Sequence, residues 1–250
     1  MLILFSLILM RMSGAIALNP LFRQTSLPRN IRAAFIMTLS VMLYVSYSGS
    51  LVHEPASILE FAVMLVMELF FGATLGFAME LSFFAVRYGA SLMDAVMGLN
   101  MAQVYDPING SQMTITAGLY NAFLFLVFIA TNGHMRLISI YYGSAALVPF
   151  GTVSFRPELA LAVIDMFYNG ILMGVQIAFP IIAMEMVAET AVGILMRMIP
   201  QINVFSINFQ MKIIVGLSML LMLFSPMSDK LYTVLNNMYQ SMERLVMLMR

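Results

Sequence analysis

Residues 98–118 read GLNMAQVYDPINGSQMTITAG and interrupt a chain that is otherwise almost continuously apolar. An Asp-Pro pair and an Asn-Gly pair, both typical of turns, lie here between long helical runs. Lipid offers no hydrogen-bond partner to a free backbone amide, so irregular backbone at membrane depth must be buried in protein or line a watery cavity. The stretch therefore predicts a loop that faces a pore or a packed partner, and it is the best candidate for a moving gate.

The composition of the chain is that of an integral membrane protein. Hydrophobic residues make up 62% of the 250 residues, charged residues make up 10%, and the mean hydropathy is +0.94. The 12 basic and 12 acidic residues balance, so the charge gives no reason to expect a nucleic-acid partner. Because the sequence has no Cys, no Gly-rich phosphate loop and no HExxH or GxSxG motif, we predict no enzyme activity, catalytic residue, metal site or cofactor.

Apolar runs on both sides of the loop predict an all-α membrane protein built from kinked helical hairpins. The runs cover about 2–18, 33–47, 57–86, 119–131, 137–149, 159–196 and 211–249. Several are shorter than the roughly 20 residues that cross a bilayer. The last two are too long for one straight span, and they carry predicted breaks at Gly174 with Pro180 and at Pro226. Residues 159–250 divide at Pro200 and so predict a self-contained hairpin.

Basic residues without accompanying acids predict which turns face the cytoplasm. Arg23, Arg29 and Arg32 lie between the first two apolar runs. Arg197 and Lys212 flank the turn RMIPQINVFSINFQMK. By the positive-inside rule, both turns are cytoplasmic.

Charged residues also occur within the apolar helices, where each costs on the order of 2.5–3.5 kcal/mol if it faces lipid. These residues are Arg11, Glu60, Glu68, Glu80, Arg87, Asp94, Asp165, Glu185, Glu189 and Lys212. Three interpretations remain open: a proton or ion relay, pairing between subunits, and packing or snorkelling near helix ends. Glu185 and Glu189 share a helix face and repel each other unless a neighbouring chain supplies a base or one acid is protonated. We therefore predict inter-subunit polar contacts at Glu185 and Glu189, and assign Arg11 to the same class.

A series of motifs along nearly the whole chain resembles a known family. In order, these are Arg11, Pro20, Pro28 with Arg29 and Arg32, GASLMDAVMGLNMAQVYDP, FIATNGHMRLIS with VPFG, and RMIPQINVFSINFQMKIIVGL. The chain is similar to the FliR/SpaR/YscT family of export-gate subunits in type III secretion. Its PQINVF and KIIVGL motifs look more like flagellar members than injectisome members.

The resemblance implies an architecture and partners. Members of the family assemble with FliP and FliQ into a helical, hetero-oligomeric complex at the flagellar basal body, in the bacterial inner (cell) membrane. Residues 1–158 look like a FliP subunit, and residues 159–250 look like a FliQ hairpin. The basic turns, together with Pro200 and Gln201, would lie at the cytoplasmic entrance, where FlhB docks.

The resemblance also implies that residues 98–118 form a plug in a channel for unfolded flagellar substrates. The predicted plug residues are Gly98, Asn100, Met101, Gln103, Val104, Tyr105, Asp106, Pro107, Gly110, Met113 and Gly118. Relatives tend to place aromatic residues where this chain has Met101 and Val104, so its seal is expected to be softer. The alternatives are a multi-pass small-solute transporter, an injectisome export-gate subunit, a scaffold that never contacts substrate, and an ordinary hairpin turn.

Overall fold

The computed structural model of the chain describes residues 1–24, 28–47, 53–102, 104–106, 111–198 and 204–250. Its helices are α1 (Leu2–Ala17), α2 (Pro20–Gln24), α3 (Arg29–Ser46), α4 (Ile58–Met97), α5 (Ile115–Ala130), α6 (Gly133–Leu147), α7 (Pro157–Met198), α8 (Val204–Met222) and α9 (Phe224–Leu248). Between α4 and α5 lie a 3-10 turn (Leu99–Ala102) and the short antiparallel strands β1 (Val104–Asp106) and β2 (Ser111–Met113). The predicted all-α fold class is confirmed, whereas the small ladder within the loop was not predicted.

Turn-forming residues mark where several helices begin. Pro20 and Pro157 occupy the first positions of α2 and α7, where a missing backbone amide has no helical partner to lose. The Asn132-Gly133 pair separates α5 from α6, and Asn132 adopts φ 55° and ψ 32°. Asn is one of the few residues with a side chain that visit this left-handed conformation readily.

Of the two predicted helix breaks, one is present and one is not. The break expected at Pro226 is found nearby, because α8 ends at Met222 and α9 begins at Phe224. The break expected at Gly174 and Pro180 is wrong, because α7 runs from Pro157 to Met198 with Pro180 inside it. A long helix tolerates the loss of one internal hydrogen bond when the turns on both sides remain bonded.

Among the described residues, α4 and α7 are each long and apolar enough to cross a membrane alone. They contain 40 and 42 residues, and both have a mean hydropathy of 2.0 in their most apolar window. At about 1.5 Å per residue each is roughly 60 Å long, about twice the thickness of a hydrocarbon core. Up to 4 crossings result if the broken pairs α5–α6 and α8–α9 each count as one span. The chain is therefore a multi-pass membrane protein whose longest helices extend beyond lipid.

The chain divides into two compact units. The first comprises residues 1–82, 128–168 and 235–250, and the second comprises residues 83–127 and 169–234. The division into residues 1–158 and 159–250 rests on resemblance to other subunits and stays a prediction.

Within the first unit, α1 and α4 pack with their backbones in contact. A Cβ atom at Gly14 would overlap the carbonyl oxygen of Leu69, and one at Gly72 would overlap the carbonyl oxygen of Arg11. Gly76 continues the same face of α4 one turn further on. Small residues at this spacing allow helices in membrane proteins to approach closely. The contact brings the middle of α1 against α4 and so determines which side chains can meet there.

We expect Gly72→Ala to destabilise the chain by about 1–3 kcal/mol, because overpacking of a close contact has a cost of this order. The measurement is thermal unfolding of the purified chain in detergent. Gly143→Ala in α6 is the matched control, because nothing lies within 4 Å of its Cβ position. Equal losses in the two variants would contradict the close-contact interpretation.

Candidate functional site: the loop base and the buried polar groups

The loop predicted to act as a plug leaves α4 at Gly98. This residue has φ +77°, which a side chain would strain, and its Cβ position lies 3.4 Å from the Phe209 ring of α8. Further along, β1 pairs with β2, with Val104 opposite Met113. The loop thus satisfies part of its backbone hydrogen bonding internally, as an irregular segment in apolar surroundings requires.

Asp94 joins the two ends of this loop. It lies in the last turn of α4 and is fully buried. Its carboxylate accepts a hydrogen bond of 2.9 Å from the backbone N–H of Thr116 and another from the Thr116 hydroxyl. Thr116 belongs to the first turn of α5, where amides lack helical partners and the helix dipole favours a negative charge. The bond is therefore charge-assisted and holds the start of α5 to the end of α4.

The predicted plug residues fall into three groups in the structure. Those outside the described residues are Gln103, Pro107 and Gly110. Those that form the 3-10 turn and β1 are Asn100, Met101, Val104, Tyr105 and Asp106, and Asn100 is exposed. Of the remainder, Met113 lies in β2 and is half-buried, with its Sδ atom 3.8 Å from the Cβ position of Gly118. The role of these residues in sealing a pore stays a prediction.

Glu185 and Glu189 of α7 have different surroundings in the second unit. Glu189 is 57% exposed and pairs with Lys212 of α8, with 3.1 Å between Oε1 and Nζ. Glu185 is 1% exposed, and neither of its carboxylate oxygens has a hydrogen-bond partner among the described residues. Its Oε1 atom lies 3.1 Å from the Cβ position of Gly216, so the carboxylate occupies space that this glycine leaves open. The base expected from a neighbouring subunit is supplied to Glu189 by the same chain.

Arg11 was assigned from the sequence to inter-subunit contacts, but the structure gives it partners within its own chain. Arg11 and Glu68 are both fully buried and form a bidentate ion pair. Nε donates to Oε2 over 2.5 Å, and Nη2 donates to Oε1 over 3.0 Å. Nη1 donates to the carbonyl oxygens of Val148 at 3.0 Å and Ser144 at 3.3 Å. All three nitrogens of the guanidinium are therefore bonded inside the first unit.

The segment VPFG, residues 148–151, completes this centre. The Arg11 guanidinium lies between the rings of Phe71 and Phe150, with Cζ 4.2 Å and 4.3 Å from the two ring centroids. Gly151, at φ +85°, donates its N–H to Glu68 Oε1 over 2.8 Å. One of the motifs that supported the resemblance thus serves to enclose a buried ion pair.

The basic residues predicted at a cytoplasmic entrance are only partly described. Pro200 and Gln201 lie outside the described residues, and Arg23 belongs to α2. Arg29 and Arg197 are exposed. Arg32 donates a hydrogen bond of 3.2 Å to the carbonyl oxygen of Phe22. The entrance role of these residues stays a prediction.

Sequence reasoning named Glu68 and Asp94 as charges in apolar helices and gave neither a partner. Arg11 is 57 residues from Glu68, and no spacing rule connects them. A signal did exist for Asp94, because a carboxylate before a loop and a threonine at the start of the next helix suit N-terminal capping. Within the described part of the chain, His, Asp and Glu form no group of three that could hold a metal ion.

The chain matches known proteins along most of its length. A family model described as "Bacterial export proteins, family 1" matches residues 2–238. Flagellar biosynthetic protein FliR of Escherichia coli K12 is 27% identical over 235 residues, covering 92% of this chain and 88% of that protein. FliR of Bacillus subtilis 168 is 27% identical over 231 residues, covering 88% and 86%. Surface presentation of antigens protein SpaR of Shigella sonnei is 27% identical over 165 residues, covering 66% and 61%.

We expect Glu68→Gln to destabilise the chain by about 3–5 kcal/mol, because it leaves the buried Arg11 charge uncompensated. Glu185→Gln is the matched control: the same change at a second buried acid removes a charge that has no partner among the described residues. It should leave the free energy of unfolding unchanged or raise it. The measurement is the unfolding midpoint of each purified variant in detergent. A similar loss in both variants would mean that the ion pair with Arg11 has no special role.

Proposed function

The chain belongs to family 1 of the bacterial export proteins, and on this premise we propose that it is a core subunit of the flagellar type III protein export gate in the bacterial inner membrane. The observation that carries the proposal is the family match over residues 2–238. The FliR relative from E. coli aligns with 92% of the chain and the SpaR relative with 66%, which favours a flagellar over an injectisome role. Family membership also disfavours the small-solute transporter.

In the gate, this chain assembles with FliP and FliQ, and FlhB docks on the cytoplasmic side. Exposed apolar side chains along the long helices support such packing, for example Phe70 of α4 and Phe179 of α7, which are 59% and 63% exposed. Only 28% of the most apolar window of α4, and 28% of that of α7, is buried within the chain. Helices this long need protein neighbours as well as lipid, because a tilted helix of about 60 Å still exceeds a hydrocarbon core of roughly 30 Å.

The exposed arginines suit the docking of FlhB. Arg29 lies at the start of α3 and Arg197 near the end of α7, both without a nearby acid in sequence. Basic side chains at helix ends favour the cytoplasmic side of a membrane. Each therefore adds positive charge to its own unit on the side proposed as the entrance, where export substrates and FlhB arrive.

The loop from Gly98 to Gly118 closes the channel. Its apolar residues include Met101, Val104 and Met113, which exclude water and ions when packed together. Methionine has three rotatable bonds and a polarizable sulfur, so it adapts to neighbours of different shape. A seal of this kind can part around an unfolded chain whose side chains vary and can re-form after it. The subunit is a conduit, and other components and the proton-motive force drive transport.

Deletion of residues 101–112 should raise ion leakage across the inner membrane, because it removes the apolar residues of the plug. The measurement is ion flux in cells that express the full gate, together with secretion of a flagellar substrate. Assembly of the gate is checked by co-purification with the other subunits. Leakage at the background level in an assembled gate would contradict the plug.

A photo-crosslinking residue at position 101 or 104 should capture a stalled export substrate, because both residues belong to the proposed plug. Position 58, exposed at the start of α4 and outside both the loop and the proposed entrance, is the control and should capture no export substrate. A complete absence of substrate crosslinks from the loop would favour a scaffold that never contacts substrate.

A further inference from the structure

We propose that Asp94 and Thr116 form a clasp that holds the two ends of the plug loop, residues 98–118, together. When the clasp opens, Thr114 replaces Asp94 as the cap of α5. This positioning role rests on the plug function proposed above. It assigns Asp94, Thr114 and Thr116 a part in gating that is distinct from the side chains of the seal itself.

The clasp joins the two ends of the loop. Asp94 lies in the last turn of α4, and Thr116 lies in the first turn of α5. Both residues are buried, and the carboxylate of Asp94 receives the backbone N–H and the hydroxyl of Thr116. The ends of the loop therefore cannot separate at this point without breaking both bonds.

The cap of α5 is unusual, because the side chain next to it does not provide it. A helix is usually capped by the residue just before its first turn, and threonine is well suited to this role. Thr114 occupies that position, and its carbonyl oxygen accepts the N–H of Gly118 over 3.0 Å, as expected of an N-cap residue. Its side-chain hydroxyl, however, is buried and has no hydrogen-bond partner among the described residues. Thr114 therefore occupies the N-cap position of α5, but the side chain that accepts an amide of its first turn is that of Asp94 in α4.

Capping of α5 by Asp94 and capping by Thr114 are alternatives. A free amide in the first turn of α5 is costly in an apolar interior, so release of Asp94 alone would be strongly opposed. The unused Thr114 hydroxyl can accept an amide of the same turn after a change in its side-chain rotamer. The start of α5 then stays capped in both states, and the loop base can open without unfolding the helix. The carboxylate of Asp94 loses both of its donors when the clasp opens, so water that enters the open channel must take their place.

The test compares threonine variants in the full gate. Thr116→Val removes one bond of the clasp at nearly constant shape, whereas Thr116→Ser keeps it and is the control. We expect Thr116→Val to speed hydrogen exchange of the amides of residues 114–118 by roughly tenfold in the purified gate, as loss of a hydrogen bond to a charged group implies. Ion leakage in cells should rise in parallel. Asp94→Ala should act in the same direction, as a second variant that removes the acid.

Thr114→Val should have the opposite effect on function. It removes the reserve cap, so opening becomes harder: leakage stays at the background level and secretion of a flagellar substrate falls several-fold. Thr114→Ser keeps a hydroxyl at the same position and should behave as the unmodified chain. This pair separates the proposed exchange of caps from a clasp that serves stability alone, because a purely structural clasp would leave secretion unchanged in Thr114→Val.

Besides unchanged secretion in Thr114→Val, three further results would overturn the proposal. Unchanged exchange in both Thr116→Val and Asp94→Ala would mean that the clasp does not hold the loop base. Faster exchange with background leakage, in a gate that leaks when residues 101–112 are deleted, would mean that the clasp does not control the gate, while the plug function stands. No leakage even after that deletion would remove the plug function and, with it, this inference.

Discussion

The ion pair between Arg11 and Glu68 satisfies the constraint that governs this chain, namely that a charge inside an apolar protein needs a group to replace water. Desolvation of each ion costs several kcal/mol, and only close pairing with further hydrogen bonds offsets it. Here the guanidinium is bonded by a carboxylate and two carbonyl oxygens and lies between two aromatic rings. Since these partners come from α4, α6 and the segment 148–151, the pair fixes how α1 meets each of them.

The glycines of α1 and α4 make that pair possible. Gly14 and Gly72 let the two backbones touch, and this close approach brings the α1 backbone at Arg11 against α4, one turn from Glu68. In a membrane, where apolar side chains gain little by leaving lipid, such contacts and internal polar bonds take over the role of hydrophobic burial. The net energy of a buried ion pair is often small compared with an apolar replacement, so its main contribution is to select one packing among several.

How much of this was predictable depends on whether the signal is local in sequence. The helices, the Asn132 turn and the break near Pro226 follow from composition and turn chemistry, and the structure contains them. The helix break predicted at Pro180 was wrong, because the expectation for an isolated helix neglects the many hydrogen bonds that remain in a helix of 42 residues. The partner of Arg11 was beyond reach, since Glu68 is linked to it by tertiary packing across 57 residues. The contact between Asp94 and Thr116 was predictable, because an acid of one helix can cap the start of the next helix along the chain.

Two of the buried acids, Glu68 in the first unit and Asp94 in the second, have surroundings that suit different tasks. A bidentate pair such as that of Arg11 would make a poor gate, because breaking a buried ion pair costs about 3–5 kcal/mol with nothing to take its place. Asp94 instead holds an amide and a hydroxyl, and the hydroxyl of Thr114, beside the same helix turn, has no hydrogen-bond partner among the described residues. When the clasp opens, the amide gains the Thr114 hydroxyl as its acceptor, and water from the open channel solvates the Asp94 carboxylate and the Thr116 hydroxyl. The loop base can therefore be well ordered when closed and still open under a modest force from the passing chain.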